Sequence, residues 1–196
     1  MRNALDGDRQ AFDQLFARYR AYLHQVVELR LDANLRRRVD ASDVVQEAQL
    51  EAARRLAHYL DRPHIPFRLW LRQIAYDRVL MMRRRHMQTK RRSMERELPL
   101  PERSSVQLAR QLLAGGTTPT QRAVRSELGK RVRLAVAKLP EGDREILLMR
   151  NFEGLSNQDV ARVLDIEPAA ASKRYGRALL RLRACLAGIG LTESGS

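Results

Sequence analysis

Between Asp8 and about Arg30 the apolar residues Phe12, Leu15, Phe16, Tyr19, Leu23, Val26 and Val27 recur at steps of three and four, with polar residues between them. That period belongs to an amphipathic helix burying one stripe. Leu31-Asp32-Ala33-Asn34 reads as a turn leading into Arg36-Arg37-Arg38. Asp40, with Asp43 three residues on, then offers an N-cap for a second helix over about 41–60. Its stripe is Val45, Ala48, Ala52, Leu56, Tyr59 and Leu60. The loop 61–66 ends it, because Pro63 and Pro66 cannot sit in a helix interior. A third helix starts near Phe67, turns Trp70, Leu71, Ile74 and Met81 inward, and becomes basic between Arg83 and Arg92.

After Glu97 the periodicity breaks at Pro99, Pro101, Ser104, Ser105 and the run Gly115-Gly116-Thr117-Thr118-Pro119, around a short apolar patch at Leu108 and Leu112. Residues 96–118 therefore read as an interdomain linker. Thr118, Pro119 and Gln121 open the next helix with a capping box, and Pro140 closes it after Leu139. Further helices fit Glu141 to about Asn151, Asn157 to about Leu164 capped by Ser156, and Pro168 to about Leu186 before Gly188. The fold class is all-α: an N-terminal helical bundle over 1–95 and a C-terminal helix-turn-helix domain over 119–190, two small domains on a flexible linker. The tail 191–196 reads as unordered.

Composition agrees, with 44% apolar residues but only 5% aromatic ones, the balance of helical cores rather than a β-sandwich. The formal net charge of +14 on 196 residues points to a polyanionic partner. One cysteine, Cys185, excludes an internal disulfide framework and fits a reducing, cytoplasmic setting. No apolar run approaches the roughly 18 residues a membrane span requires, and the charged residues after Met1 leave no room for a signal sequence. His24, His58, His64 and His86 have no metal-ligand spacing among themselves or with Cys185, so neither a metal nor a cofactor is expected. Trp70, Tyr175 and Cys185 read as packing residues.

The segment 154–177 carries the densest signal. A short helix with Val160, Ala161 and Leu164 inward, a tight turn at Asp165 and a second helix rich in small and basic residues form a helix-turn-helix. Ala169, Ala170 and Ala171 would let the second helix approach a major groove. Ser172, Lys173, Arg174, Arg177 and Arg181 would offer donors to base edges and phosphates. The block Arg83, Arg84, Arg85 through Arg92 reads as a second, sequence-independent phosphate surface. Against this basic background Asp43, Glu47 and Glu51 stand at four-residue steps on one helix face, with Gln46 beside them. Such a row suits a basic protein surface, and its plain alternative is a solvated helix face partly neutralised by Arg54 and Arg55.

Leu139-Pro140-Glu141-Gly142-Asp143-Arg144-Glu145-Ile146-Leu147-Leu148 and the helix-turn-helix after it resemble the C-terminal promoter-reading domain of bacterial extracytoplasmic-function sigma factors. Asp40-Ala41-Ser42-Asp43-Val44-Val45-Gln46-Glu47 is similar to that family's polymerase-binding helix, and Phe67-Arg68-Leu69-Trp70-Leu71-Arg72-Gln73-Ile74-Ala75 to the start of its promoter-melting helix. The resemblance implies RNA polymerase core as partner, with Asp40, Asp43, Gln46 and Glu47 meeting the coiled-coil clamp helices of the largest subunit. It implies promoter DNA as the second partner. Asp61, Arg62 and His64 of the loop would then meet a flipped base of the minus-ten element, and the C-terminal domain would read the minus-thirty-five element. It also leaves room for an inhibitory anti-sigma factor. The sequence departs from the family at Asp165, where Gly is usual, and at Pro168-Ala169-Ala170-Ala171, where a Gly-Thr-Val-like run is common.

Two other classes compete. A stand-alone helix-turn-helix repressor or activator would explain the C-terminal half and the charge, but not the acidic row or the second basic block. An enzyme on nucleic acid lacks paired carboxylates in a cleft context, a phosphate-cradling Gly loop and a nucleophile-base pair.

Overall fold

The computed structural model describes residues 9–31, 33–90, 135–136 and 138–188. It divides into two compact units, one on each side of the bond between Glu97 and Leu98. The expected linker, most of the helix expected between Thr118 and Leu139, and the tail lie outside the described residues.

In the N-terminal unit the helices are α1 (Arg9–Glu28), α2 (Ala33–Arg36), α3 (Ala41–Asp61) and α4 (Phe67–Lys90). The Asp40 carboxylate accepts from the Ser42 N–H at 2.7 Å, which caps α3 as its sequence position suggests. At the start of α4 the Pro66 carbonyl takes the first backbone bonds of the helix, from Leu69 and Trp70 N–H at 2.9 and 3.0 Å. Helices α1, α3 and α4 each pack on the other two. Phe12, Phe16, Leu23, Val26 and Val27 from α1 meet Val44, Val45, Ala48 and Ala52 from α3 and Leu71, Ile74, Ala75 and Val79 from α4. At one end Trp70 stacks on Tyr59 with ring centres 4.4 Å apart, and Phe67 and Tyr19 complete the aromatic cluster. The Tyr59 hydroxyl donates to the Ile65 carbonyl at 2.8 Å, pinning the base of the loop between α3 and α4.

Two expectations need correction. Met81 is not inward but exposed, because the helical period from Ile74 and Ala75 reaches the core next at Val79 and leaves Met81 on another face. The segment expected as a plain turn at residues 31–34 passes into helix α2. Arg36 makes that possible by donating to the Glu28 and Leu31 carbonyls at 2.5 and 3.1 Å. Two buried arginines were also not legible in the pattern. Arg30 and Arg72 are 2% and 1% exposed and both lie over the Tyr76 ring, at 5.3 and 5.6 Å from its centre.

The C-terminal unit contains α5 (Glu141–Asn151), α6 (Asn157–Leu164) and α7 (Pro168–Ala187), at the places the sequence marks for them. Pro140 precedes α5, and Gly154 takes the left-handed conformation (φ 64°) in the connection to α6. Helix α7 packs on both α5 and α6. Ala171, Ala178 and Leu182 of α7 bury against a core of Ile146, Leu147, Met149, Leu155, Val160 and Ala161. Cys185 is half-buried near the end of α7.

Candidate nucleic-acid and protein interfaces

The helix-turn-helix is built from local hydrogen bonding. The Ser156 hydroxyl accepts from the Asp159 N–H at 3.0 Å, and the Asp159 carboxylate accepts from the Ser156 N–H at 3.3 Å, a reciprocal capping box on α6. Asp165 ends α6 in the left-handed conformation, φ 51° and ψ 51°. Its neighbour Ile166 donates back to the Ala161 carbonyl at 3.0 Å, closing the turn. The Asn157 side-chain amide donates to the Pro168 carbonyl at 2.8 Å and so sets the start of α7 against the start of α6.

The small residues at the head of α7 divide by face. Ala171 is buried in the unit, while Ala169 and Ala170 are exposed and keep the outer surface low. Ser172, Lys173, Arg177 and Arg181 are exposed as well, and Arg174 is half-buried. The last two arginines are held by α5. Arg181 donates to the Asp143 carboxylate at 2.5 Å, across an acid whose side chain is only 8% exposed. Arg174 lies against Gly142, where a Cβ would come into collision with its guanidinium. Tyr175 packs as expected, under Arg150 and with its hydroxyl donating to Asn151 Oδ1 at 3.1 Å.

On α3, Asp43, Gln46 and Glu47 are exposed side by side one helical turn apart, and Asp40 is exposed at the cap. The Ser42 backbone N–H, above all, holds the Asp40 carboxyl below the usual range. Glu51 does not continue the row outward. It turns to Arg55, Arg78 and Arg54 at 2.5, 3.4 and 3.6 Å. Burial works to raise its pKa, but the Arg55 hydrogen bond and the three guanidinium charges together outweigh it, and the pKa is lowered.

Asp61 is the last residue of α3 rather than the first of the loop, because the helix runs on to a C-cap at Arg62, and Asp61, Arg62, Pro63 and His64 are exposed beside the buried Ile65 anchor. Asp61 and Arg62 stand 3.7 Å apart, both largely in solvent. In the basic block Arg84 and Arg85 are exposed, whereas Arg83 is half-buried and donates to the Arg30 carbonyl at 2.5 Å. Asp77 senses Arg55, Arg78 and Arg84, yet desolvation dominates and raises its pKa. Among the described residues no group of His, Cys, Asp and Glu side chains could hold a metal ion, and no helix is long and apolar enough to cross a membrane.

Residues 129–182 match the family model described as Sigma-70, region 4, which spans the helix-turn-helix. The chain is 31% identical to the RNA polymerase sigma factor CnrH of Cupriavidus metallidurans over 186 residues, covering 93% of this chain and 90% of CnrH. It is 30% identical to the RNA polymerase sigma-H factor of Pseudomonas aeruginosa over 173 residues, covering 88% and 84%. The solved structure of CnrH in complex with the cytosolic domain of CnrY shares the fold, with a TM-score of 0.59 over 95% of this chain and 94% of that one at 24% identity. It is also 30% identical to the ECF RNA polymerase sigma factor SigD of Mycobacterium bovis over 180 residues, covering 92% of this chain and 79% of SigD. These matches run through both units and do not favour a stand-alone repressor, so the chain belongs to the extracytoplasmic-function family of RNA polymerase sigma factors, which bind polymerase core and direct promoter-specific initiation.

Proposed function

We propose a division of labour between the two units in which residues 1–95 bind polymerase core and the melted minus-ten element, residues 96–118 tether, and residues 119–190 read the minus-thirty-five element. The observation that carries the first assignment is the exposed set Asp43, Gln46 and Glu47 on α3, with Asp40 at its cap, in a chain of net charge +14. An acidic face repels DNA and complements a basic protein surface, for which the coiled-coil clamp helices of the largest polymerase subunit are the partner. Asp61, at the end of α3, and Arg62 and His64, on the pinned loop after it, supply hydrogen-bonding groups for an unstacked base. Arg83, Arg84 and Arg85 supply the adjoining positive charge.

In the other unit Ser172, Lys173 and Arg177 project from the exposed side of α7, and Arg174 and Arg181 join them from positions held against α5. The tether makes weak contacts by each unit additive only when core holds both on one promoter. In this reading the protein is a specificity subunit with no chemistry of its own, working in the cytoplasm beside polymerase. An anti-sigma partner, as in the solved complex of the sigma factor RpoE with the anti-sigma factor NepR from Bartonella quintana, would silence it by covering the acidic face.

The test is a pull-down of RNA polymerase core with the wild-type chain and with Asp43→Arg plus Glu47→Arg. Both positions are exposed, so the variant keeps its helical circular dichroism. Loss of core binding with intact folding supports the assignment, and full retention of binding removes it.

A further inference from the structure

The outward side of α3 carries a second pattern besides its charges. Asp43, Leu50 and Ala57 stand at steps of seven, Gln46 and Ala53 fall three residues after the first two, and all five are exposed. At 3.6 residues per turn these positions stay within a band about 80° wide. The buried residues Val44, Val45, Ala48, Ala52 and Tyr59 occupy the other side of the helix, and Leu50 lies opposite the middle of their stripe. A repeat of 3.5 residues along one face is the mark of a helix that meets another helix. The first turns of this seam are polar and acidic, with Glu47 beside them, and the later turns are apolar.

Leu50 is 55% exposed, and a lone surface leucine would be ordinary. Its setting is not. On one side Gln49 is held by α1, accepting from Arg20 at 3.1 Å and donating to Asp13 at 2.8 Å. On the other side Glu51 is held by Arg55 and by Arg78 from α4, and Arg54 leans to the same carboxylate at 3.6 Å. The polar neighbours of Leu50 are thus engaged to left and right, and the leucine stands between them at the centre of the exposed face.

We infer that Leu50 is the apolar anchor of the polymerase contact, and that a basic clamp helix of the largest polymerase subunit lies along α3 from Asp43 to Ala57, about 21 Å, instead of touching the acidic turns alone. The inference rests on the proposed core-binding role of Asp43, Gln46 and Glu47 and deepens it. Exposed charges select a partner of opposite sign but contribute little affinity, whereas a leucine withdrawn from water contributes regardless of sign. Ala53 and Ala57 have no side chain beyond Cβ, so a partner backbone can approach the later turns closely. DNA does not fit this face, because the carboxylates one turn from Leu50 repel phosphates.

The experiment titrates the full chain against polymerase core at low and at high salt, for wild type, Leu50→Gln, Leu50→Met, Met81→Ala and Asp43→Arg plus Glu47→Arg. Gln and Met are helix formers close to Leu, and position 50 is exposed, so circular dichroism stays as in wild type. Leu50→Gln weakens core binding about tenfold, by the same factor at both salt concentrations, because apolar burial is not screened. Leu50→Met stays within about twofold of wild type, since it keeps the apolar volume. Met81→Ala, which truncates an exposed apolar side chain of α4, leaves binding unchanged. The deficit of the charge-reversed variant shrinks as salt rises. Wild-type affinity of Leu50→Gln overturns the inference, as does a Leu50→Gln deficit that fades with salt or an equal loss in Leu50→Met. If the charge-reversed variant loses binding while Leu50→Gln does not, only the anchor fails. Full binding by the charge-reversed variant removes the reading of the acidic face, and the inference with it.

Discussion

Arg181 and Asp143, far apart in sequence, form the ion pair that ties the middle of α7 to the first turn of α5 at 2.5 Å. Its two ends differ in surroundings, since the Arg181 side chain is 54% exposed and the Asp143 side chain 8%. The pair therefore serves the carboxylate more than the guanidinium. Removing Arg181 strands a buried acid, whereas removing Asp143 returns an arginine to water.

It follows that Arg181→Ala lowers stability by about 1–3 kcal/mol, the range for a buried group left without its partner. Arg181→Ala combined with Asp143→Ala recovers part of that loss. Urea unfolding of the full chain followed by circular dichroism checks both, and equal losses in the single and double variants would refute the asymmetry.

Asp165 occupies a left-handed conformation that costs a residue with a side chain about 1–2 kcal/mol, less for Asp than for most. Asp165→Gly relieves it and raises stability by about 0.5 kcal/mol after the added freedom of the unfolded glycine is counted. Asp165→Val lowers stability by about 1–2 kcal/mol, because a branched side chain fits that region worst. Thermal melting orders the three as Gly above Asp above Val.

Gly142 makes room for Arg174. Alanine at 142 must displace the guanidinium, which is the flexible end of a long side chain, so Gly142→Ala leaves the fold intact and, in the first turn of α5, gains less than the roughly 0.5–1 kcal/mol that alanine gains over glycine in mid-helix. Promoter binding changes even so, since Arg174 no longer rests on α5. A gel-shift comparison of holoenzymes carrying Gly142→Ala and wild type reads that change directly, and identical affinity would show that the resting place of Arg174 is irrelevant to DNA.

The acid limb of stability follows from the carboxylates. Glu51 and Asp40 have lowered values in the folded chain, so their contributions are full above the ordinary 4.5 and 3.8 and are lost as pH falls through the folded values. Asp77 has the opposite sign. Its raised value means a contribution that is full below 3.8 and is lost as pH climbs through the folded value. Glu51→Gln therefore flattens the loss of stability below about pH 4.5, while Asp77→Asn raises stability at neutral pH relative to acid. Melting temperatures between pH 3 and 7 separate the two effects.

Much of this arrangement is local and could be read along the chain. The 3.6-residue period of Phe12 to Val27 and of Val45 to Tyr59 marks α1 and α3 because one helix face needs nothing beyond its own spacing to be recognised. The caps at Asp40 and Ser156 and the left-handed turn at Asp165 involve partners at most a few residues away, so composition and order decided them too. The exposure of Asp43, Gln46, Glu47, Lys173 and Arg177 follows from the same periods, as the positions opposite the buried stripes.

Which charges are spent inside the fold was decided only in three dimensions. Glu51 looks like the third member of an acidic row until α4 brings Arg78 against it. Arg83 and Arg36 look like the first of three equal arginines until the end of α1 presents carbonyls to both. Arg30 and Arg72 look like surface residues until Tyr76 offers a ring to each. Periodicity reports the burial of a helix face, but hydrogen bonds and ion pairs depend on which distant groups arrive within about 3 Å, and no spacing within one segment contains that distance.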